Sequence, residues 1–139
     1  MCGIFGYLGH QQALPILVEG LRRLEYRGYD STGVAVDDGN TIQTHKTVGR
    51  VADLKAILPD DVRGTLGIAH TRWATHGGVT EANTHPHASN DGTIHLVHNG
   101  IIENYLDLKE FLQQEGYSFT SQTDSEPVSY THLTLPTKA

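Results

Sequence analysis

Residues 33–46 have the sequence GVAVDDGNTIQTHK, which predicts a β-hairpin. Two short runs, Gly33–Val36 and Thr41–Lys46, flank the four polar residues Asp37-Asp38-Gly39-Asn40. An Asp-Gly pair between two such runs is a strong signal for a tight turn that joins antiparallel strands. The hairpin therefore favours a fold built around an antiparallel sheet.

The rest of the chain adds strands and helices that fit this hairpin. A helix is predicted for Gln12–Tyr26, because its apolar residues recur at intervals of three and four positions. The polar segment Trp73–Asp91 is predicted to be a long loop, and such a loop is usually functional or disordered. The strands come in hairpin-like pairs and not as regular βαβ units, which predicts an α+β fold. The other predicted elements are the strands Cys2–Leu8, Leu66–Thr71 and Thr93–His98, the helices Arg50–Leu58 and Asn104–Glu115, and a turn at Arg27–Ser31.

The composition excludes several classes of protein. The chain has 139 residues, of which 37% are hydrophobic and 19% charged, so one small domain with an apolar core is expected. Its formal net charge is −6 and it has no basic cluster, so we expect no nucleic-acid partner. The apolar runs are too short to span a bilayer, and the N-terminus does not resemble a signal peptide, so we expect no membrane partner. A single cysteine excludes an intramolecular disulfide and fits a cytoplasmic location.

The single cysteine, Cys2, is a candidate nucleophile. Removal of Met1, which we expect because the next residue is small, would leave Cys2 with a free α-amine beside its thiol. An α-amine has a pKa of about 7.7–8.0 and a thiol one of about 8.5, so the amine can act as a base for the thiol. The alternative is a buried cysteine that only fills space, although burial is less common so close to a chain end.

Four further residues could complete a site in which Cys2 accepts an acyl group from an amino-acid substrate. Asn99 and Gly100 follow a predicted strand, and an Asn side chain and a Gly N–H can both donate to one oxyanion; a plain Asn-Gly turn is the alternative. Arg72 lies at a strand end and could bind a carboxylate through its two-pronged guanidinium. Asp124 could bind an amine, or it could cap a helix.

The histidines suggest a metal site, although the pattern argues against one. His85 and His87 lie close together, as do His95 and His98, and histidine is a common zinc ligand. In a strand, however, residues three positions apart point to opposite faces, so His95 and His98 could not easily share an ion. There is also no cysteine pair and no dense carboxylate cluster. We therefore expect no metal site, and hydrogen-bonded loop and strand histidines instead.

A set of motifs connects these candidates. The chain starts with MCGIFGY at residues 1–7, and LRRLEYRGYDS follows at residues 21–31. Three later motifs are HTRWATHG at 70–77, NTHPH at 83–87 and VHNGIIEN at 97–104, and TDSE at 123–126 closes the series. The first motif resembles class II, N-terminal nucleophile glutamine amidotransferases in general. The whole series, in order over residues 1–126, resembles the glutamine–fructose-6-phosphate aminotransferase family.

This resemblance implies a fold and a set of residue roles. The fold would be that of an N-terminal nucleophile hydrolase, a four-layer αββα sandwich. Cys2 would attack the side-chain amide of glutamine and form a glutamyl thioester, while its α-amine moves the proton, and Asn99 and Gly100 would form the oxyanion hole. Trp73 would also gate the passage of ammonia, and His85 would help to signal between domains. The glutamine-binding residues would be Arg72 for the α-carboxylate, Asp124 for the α-amine, and Trp73, Thr75 and His76 along the pocket.

The resemblance also implies what lies outside this domain. No metal or organic cofactor would be needed for the hydrolysis of glutamine. The ammonia would pass to a C-terminal sugar-isomerase domain, which is absent from this sequence, and would aminate fructose 6-phosphate to give glucosamine 6-phosphate. The full-length protein would be a homodimer.

The segment after Glu126 departs from the family pattern. The family continues with a helix there, but Pro127 and Pro136 oppose one. We predict that residues 1–126 are the N-terminal part of a type-2 glutamine amidotransferase domain and that residues 127–139 are a foreign tail that arose as a cloning or sequencing artefact. In that case part of both sheets would be missing, and we expect this polypeptide alone to be weakly folded or inactive.

Three alternatives remain open at this point. A purine-pathway amidophosphoribosyltransferase shares the start of the chain, but Leu21–Ser31 and Ala74–Gly77 argue against it. A non-catalytic, histidine-rich binding module would take up metal and would be indifferent to Cys2→Ala. A small domain without catalysis would leave Cys2, Arg72, Asn99 and Asp124 unexplained as a set, and such a set is what acyl transfer requires.

Overall fold

The described part of the chain, in a computed structural model, contains a four-stranded sheet, a two-stranded sheet and three α-helices. The structure describes residues 2–28, 30–73 and 78–127. In these residues, none of the helices is long and apolar enough to cross a membrane. The elements are β1 (Gly3–Leu8), α1 (Ala13–Leu24), a short 3-10 helix (Glu25–Arg27), β2 (Ser31–Asp37), β3 (Ile42–Val48), α2 (Val51–Ile57), β4 (Leu66–Arg72), β5 (His87–Ala88), β6 (His95–Leu96) and α3 (Tyr105–Gln114).

The predicted hairpin is present and lies at one side of the main sheet. Strands β2 and β3 pair antiparallel from Ser31 opposite Val48 to Asp37 opposite Ile42. The side chain of Asp38 accepts the N–H groups of Asn40 and Thr41, each at 2.8 Å, and so holds the turn. Strand β4 joins β1 to β2, which gives the order β1-β4-β2-β3 with every pair antiparallel. The predicted α+β fold with antiparallel sheet is confirmed.

One face of the main sheet carries the apolar core, and we call it the helix-covered face. Successive side chains of a strand point to opposite faces, so Val34 and Val36 of β2 share this face. Helix α1 packs Leu17 and Leu21 against them, and α2 adds Leu54, which is also fully buried. Burial of such side chains stabilises the fold by about 1.5–3 kcal/mol each. The sheet is therefore fixed by helices that are near it in sequence.

The opposite face of the sheet, which we call the site face, is polar at one end. Ile4, Gly33 and His70 are directly opposite one another across β1, β4 and β2, so they lie side by side on this face. A Cβ atom on Gly33 would overlap the backbone carbonyl of His85. The absence of a side chain at Gly33 therefore lets the segment that carries His85 lie directly on the sheet.

The helix predictions are confirmed with shorter limits. The helix predicted for Gln12–Tyr26 occupies Ala13–Leu24, and the chain then tightens into the 3-10 helix. Helices α2 and α3 each lack the first and last residue of the predicted segment. The predicted turn at Arg27–Ser31 is shorter, because the 3-10 helix and β2 take its two end residues, and Tyr29 lies outside the described residues.

The strand predicted for Thr93–His98 is wrong in its extent. Only His95–Leu96 pairs, with His87–Ala88 inside the segment that was predicted as a loop. The N–H of Thr93 donates to the Asp91 carboxylate at 3.0 Å, and the N–H of His98 donates to the ring of His85 at 3.3 Å. These two backbone N–H groups therefore donate to side chains, whereas in a longer strand they would donate to the backbone of a neighbouring strand.

Candidate active site

A cavity of about 600 Å³ opens where β1 begins and β4 ends. This volume is ordinary for a site that binds a small molecule. Two segments that are remote in sequence, 98–101 and 123–125, complete its wall. The lining residues are Cys2, Arg27, Arg72, Trp73, His85, His98, Asn99, Gly100, Ile101, Thr123, Asp124 and Ser125.

Cys2 lies at the cavity, partly exposed, and is held by the backbone of Trp73. The N–H of Trp73 donates to the Cys2 sulfur at 3.1 Å, and the sulfur lies 3.4 Å from the Trp73 carbonyl oxygen. The next residue, Gly3, donates its N–H to the hydroxyl of Thr71 at 3.1 Å. The backbone of Trp73 therefore holds the sulfur in place at the cavity.

Asn99 contacts Cys2, and Gly100 lines the same cavity. The side-chain amide of Asn99 donates from Nδ2 to the carbonyl oxygen of Cys2 at 3.2 Å, so this donor already points at the nucleophilic residue. Gly100 has a φ angle of +142°, which a residue with a side chain rarely adopts. The glycine therefore allows the turn that brings Asn99 to the cavity wall.

Three buried histidines are packed together at the cavity, and one of them, His85, forms part of its lining. The rings of His70 and His85 are stacked with centroids 4.2 Å apart, and the His87 ring lies 4.5 Å from His85. Loss of hydration lowers the pKa of His70 to about 4 and the pKa of His87 to about 3. The same desolvation, with the neighbouring His70, lowers the pKa of His85 even further. These three rings are therefore neutral near pH 7.

Arg72 and Asp124 bring opposite charges to the cavity from different parts of the chain. Both residues are almost fully buried. Arg72 donates from one guanidinium nitrogen to the carbonyl oxygen of Gly78 at 2.8 Å. Asp124 accepts the N–H of Ile102 through Oδ2 at 2.6 Å. A cation and an anion at one small cavity can bind the carboxylate and the amine of a free amino acid.

The segment that carries Asp124 is held by a buried hydrogen-bond network. The Glu126 carboxylate accepts the N–H groups of Thr120 and Ser121 at 2.9 and 2.7 Å, and also the hydroxyl of Ser121 at 2.5 Å. The hydroxyl of Thr123 lies 2.8 Å from Nε2 of His87. Asp124 is therefore placed by its neighbours on both sides, and the network connects it to the histidines.

Most of the predicted site residues come together at this cavity. Cys2, Arg72, Trp73, His85, Asn99, Gly100 and Asp124 all line it, although they come from opposite ends of the chain. Thr75 and His76 lie outside the described residues, so their predicted roles stay predictions. For His85 and His98, the observed contacts are hydrogen bonds and ring stacking. Within the described ranges, no group of three or more His, Cys, Asp or Glu side chains could hold a metal ion.

Arg27 and His70 are among the residues at the site that were not assigned a role from the sequence. Arg27 lines the cavity, and His70 contacts Asn99 from behind the cavity wall, with Nε2 only 2.7 Å from Oδ1. His70 lies two positions before Arg72, so the period of two along a strand places both on one face. The alternation along the strand therefore indicates from the sequence that His70 lies on the same face as Arg72. The position of Arg27 depends on the turn that follows α1, which the sequence pattern does not specify.

Comparisons with known proteins show the family to which the chain belongs. Residues 43–135 match the model of a family described as the glutamine amidotransferase domain. This chain belongs to that family. The match covers β3 to β6, α3 and every cavity residue except Cys2 and Arg27.

Two curated relatives carry the same name. The chain is 56% identical over 127 residues to glutamine–fructose-6-phosphate aminotransferase (isomerizing) of Clostridium tetani, with 91% of this chain covered. It is 58% identical over 132 residues to the protein of the same name from Idiomarina loihiensis, with 94% covered. The chain spans only 21% and 22% of these two relatives, about a fifth of their length.

Solved structures have the same fold. The chain matches the glutamine phosphoribosylpyrophosphate amidotransferase of B. subtilis with a TM-score of 0.80 and 29% identity, over 100% of this chain and 30% of that one. An allosteric regulatory enzyme of purine biosynthesis gives a TM-score of 0.79 and 30% identity, with the same coverage. These matches confirm the predicted N-terminal nucleophile amidotransferase fold.

Proposed function

We propose that this chain is the glutamine-hydrolysing part of an enzyme that makes glucosamine 6-phosphate from fructose 6-phosphate. One observation carries the proposal: Cys2, Asn99, Arg72 and Asp124 line a single cavity, and hydrolysis of a glutamine side chain needs a nucleophile, an oxyanion donor, a cation and an anion of this kind. The name shared by the curated relatives, at 51–58% identity, supports the acceptor sugar.

The proposed reaction begins with the bound amino acid. Arg72 binds the α-carboxylate, and Oδ1 of Asp124, which lies 3.4 Å from the Ser125 hydroxyl, binds the α-amine, so the side-chain amide points towards Cys2. After removal of Met1, the α-amine of Cys2 takes the thiol proton and the sulfur attacks the amide carbon. The same proton goes to the departing nitrogen, so ammonia leaves and a glutamyl thioester remains. Water then hydrolyses the thioester to glutamate.

Charge develops on the side-chain carbonyl oxygen of the substrate during both attacks, first on the amide and then on the thioester. In this proposal Asn99 Nδ2 and the N–H of Gly100 donate to that oxygen, and such donors are worth about 2.7–4 kcal/mol of transition-state stabilisation each. Trp73, which is about half exposed beside Cys2, and His85 are proposed to act on the transfer of ammonia to the next domain. The homodimer and the cytoplasmic location implied by the sequence stay predictions.

The test uses the full-length product of the gene that carries this sequence. We expect release of glutamate from glutamine, loss of that release in Cys2→Ala, and labelling of Cys2 by a glutamine analogue with an electrophilic carbon in place of the amide. Mass spectrometry of the N-terminal peptide checks the removal of Met1. Glutamate release that survives in Cys2→Ala contradicts the proposal.

A second measurement separates the acceptors. The purified full-length protein is supplied with glutamine and either fructose 6-phosphate or phosphoribosyl pyrophosphate. We expect an amino sugar phosphate to form only from fructose 6-phosphate. Formation of phosphoribosylamine would favour the purine-pathway alternative, for which the solved structures, at 29–30% identity, give weaker support than the curated relatives.

A further inference from the structure

His70 makes the shortest polar contact of Asn99, and it does so from the side that faces away from the cavity. Nε2 of His70 lies 2.7 Å from Asn99 Oδ1 and 3.2 Å from the carbonyl oxygen of His98. The His70 side chain is fully buried. Both neighbours of Nε2 are carbonyl oxygens, which only accept, so Nε2 must carry the proton.

The charge state of His70 strengthens this assignment. Burial lowers the pKa of His70 to about 4, so near pH 7 the ring carries a single proton. Nδ1 of His70 is buried and has no hydrogen-bond partner among the described residues, so no observed contact there competes for the proton. One tautomer, with the proton on Nε2, fits every observed contact.

This tautomer sets the direction of the Asn99 amide. With Oδ1 accepting from His70, the NH₂ group points the other way and donates to the backbone carbonyl of Cys2 at 3.2 Å. If the amide were turned over, its NH₂ group would face the N–H of His70, and Oδ1 would face the Cys2 carbonyl oxygen. Both contacts would then be repulsive, so the ring selects the orientation in which Asn99 donates towards the nucleophile.

The stacked ring of His85 holds the backbone before Asn99. His85 lies on Gly33 and stacks on His70 with an interplanar angle of 19°. Its Nδ1 accepts the N–H of His98 at 3.3 Å. The backbone at His98 and the side chain of Asn99 are thus fixed by two rings that are packed against each other.

We propose that His70 is a positioning residue for glutamine hydrolysis, which acts through Asn99 by fixing its amide with the NH₂ group towards Cys2. The inference rests on the proposed function, because it assigns His70 a part in the same reaction. A donor that is held in place before the reaction lowers the barrier without any cost of reorganisation, whereas an amide that can turn over loses that advantage.

Two substitutions separate this role from simple space filling. In His70→Gln the side-chain NH₂ reaches about as far as Nε2 and can still donate to Asn99 Oδ1. In His70→Asn the NH₂ group ends near the position of Nδ1 and falls short. We expect kcat to drop about 10-fold or more in His70→Asn, with KM for glutamine within about threefold, and to stay within about fivefold of wild type in His70→Gln. His45→Asn on β3, away from the cavity, is the matched control and should leave kcat unchanged.

A double-mutant cycle in the full-length protein tests the mechanism directly. Asn99→Ala alone should lower kcat about 10²–10³-fold. If His70 acts through Asn99, His70→Asn adds no more than about a twofold loss in the Asn99→Ala background. If the losses of kcat in His70→Asn and Asn99→Ala multiply in the double variant, the proposal is overturned. A rise in KM at unchanged kcat in His70→Asn would also overturn it.

A separate measurement shows whether a loss of kcat in a variant comes from misfolding. The rate of Cys2 alkylation by iodoacetamide and the melting temperature report whether each variant is folded. If His70→Asn does not fold, the cycle is run with His70→Gln. A kcat near that of the wild type, or a loss of kcat that vanishes in the Asn99→Ala background, supports the proposal. A loss that multiplies with that of Asn99→Ala overturns it. Wild-type protein without glutamate release, or release that survives in Cys2→Ala, would instead contradict the proposed function itself.

Discussion

The two faces of the main sheet are built on different principles. On the helix-covered face, apolar side chains such as Val34 and Leu17 pack without polar partners, and the helices lie close to the strands in sequence. On the site face, His70 and its neighbours are buried polar groups that depend on hydrogen bonds from segments many residues away. Packing tolerates small adjustments, whereas a buried polar group is stabilising only in its correct geometry. We therefore expect substitutions on the first face to change stability, and substitutions on the second to change catalysis.

Leu17→Ala gives the largest expected effect on stability. Leu17 is fully buried in the core, so its truncation should lower the free energy of unfolding by about 2–5 kcal/mol. Urea unfolding of the full-length protein, with hydrogen exchange of the β2 and β4 amides as a local probe, measures the change. Leu106→Ala, at a residue that is 63% exposed, is the control. If Leu17→Ala instead lowered kcat of the folded protein tenfold, the two faces would not be separable.

Asn99→Ala gives the complementary result on the site face. We expect a loss in kcat equivalent to about 2.7–4 kcal/mol, because one oxyanion donor is removed. Steady-state release of glutamate measures it, and the urea midpoint should hardly move. Asn40→Ala in the hairpin turn is the matched control. An equal loss of activity in Asn40→Ala would show that the assay follows folding and not catalysis.

The buried histidines make stability depend on pH. The pKa of His70 is about 4 in the folded state and about 6.5 in an unfolded chain, so the unfolded state binds more protons between these values. The stabilisation is complete above pH 6.5 and is lost as the pH falls towards 4, with a slope of up to about 1.4 kcal/mol per pH unit for each such histidine.

Unfolding measured between pH 6.5 and 5 tests this dependence. His70→Gln should lower the slope by the contribution of one histidine, about 1.4 kcal/mol per pH unit, because glutamine does not titrate. Gln11→Ala, at an exposed residue that does not titrate, is the control and should leave the slope unchanged. An unchanged slope in His70→Gln would mean that the ring binds its proton equally in the folded and unfolded states, which contradicts a lowered pKa.

Glu19→Ala should have the smallest effect. Glu19 forms ion pairs with Arg22 at 2.6 Å and Arg23 at 3.2 Å, on the exposed side of α1. The ion pairs lower the pKa of Glu19 to about 2, but water screens exposed pairs and their contribution to stability is small. We expect no change in the urea midpoint beyond experimental scatter. A shift as large as that of Leu17→Ala would mean that the outer side of α1 also carries part of the fold.

The sequence predicted the helix-covered face better than the site face. The periodicity of Leu17 and Leu21 predicted α1, and Asp38-Gly39 predicted the hairpin, because these signals are local. The strand predicted for Thr93–His98 was too long, because His85 takes the N–H of His98 through a contact that local patterns do not contain. The residues of the cavity were predicted mainly from motifs, and their roles stay predictions.

By itself, the sequence determined the kind of elements, their order and the chemical groups available, since propensities, turns and motifs are properties of neighbouring residues. Only the tertiary structure decided that Cys2, Arg72, Asn99 and Asp124 share one cavity. It also decided that a buried ring supports Asn99 from behind, since the direction of the amide depends on a contact between residues 70 and 99. Such contacts arise when the sheet brings distant segments together, and no pattern within either segment specifies them.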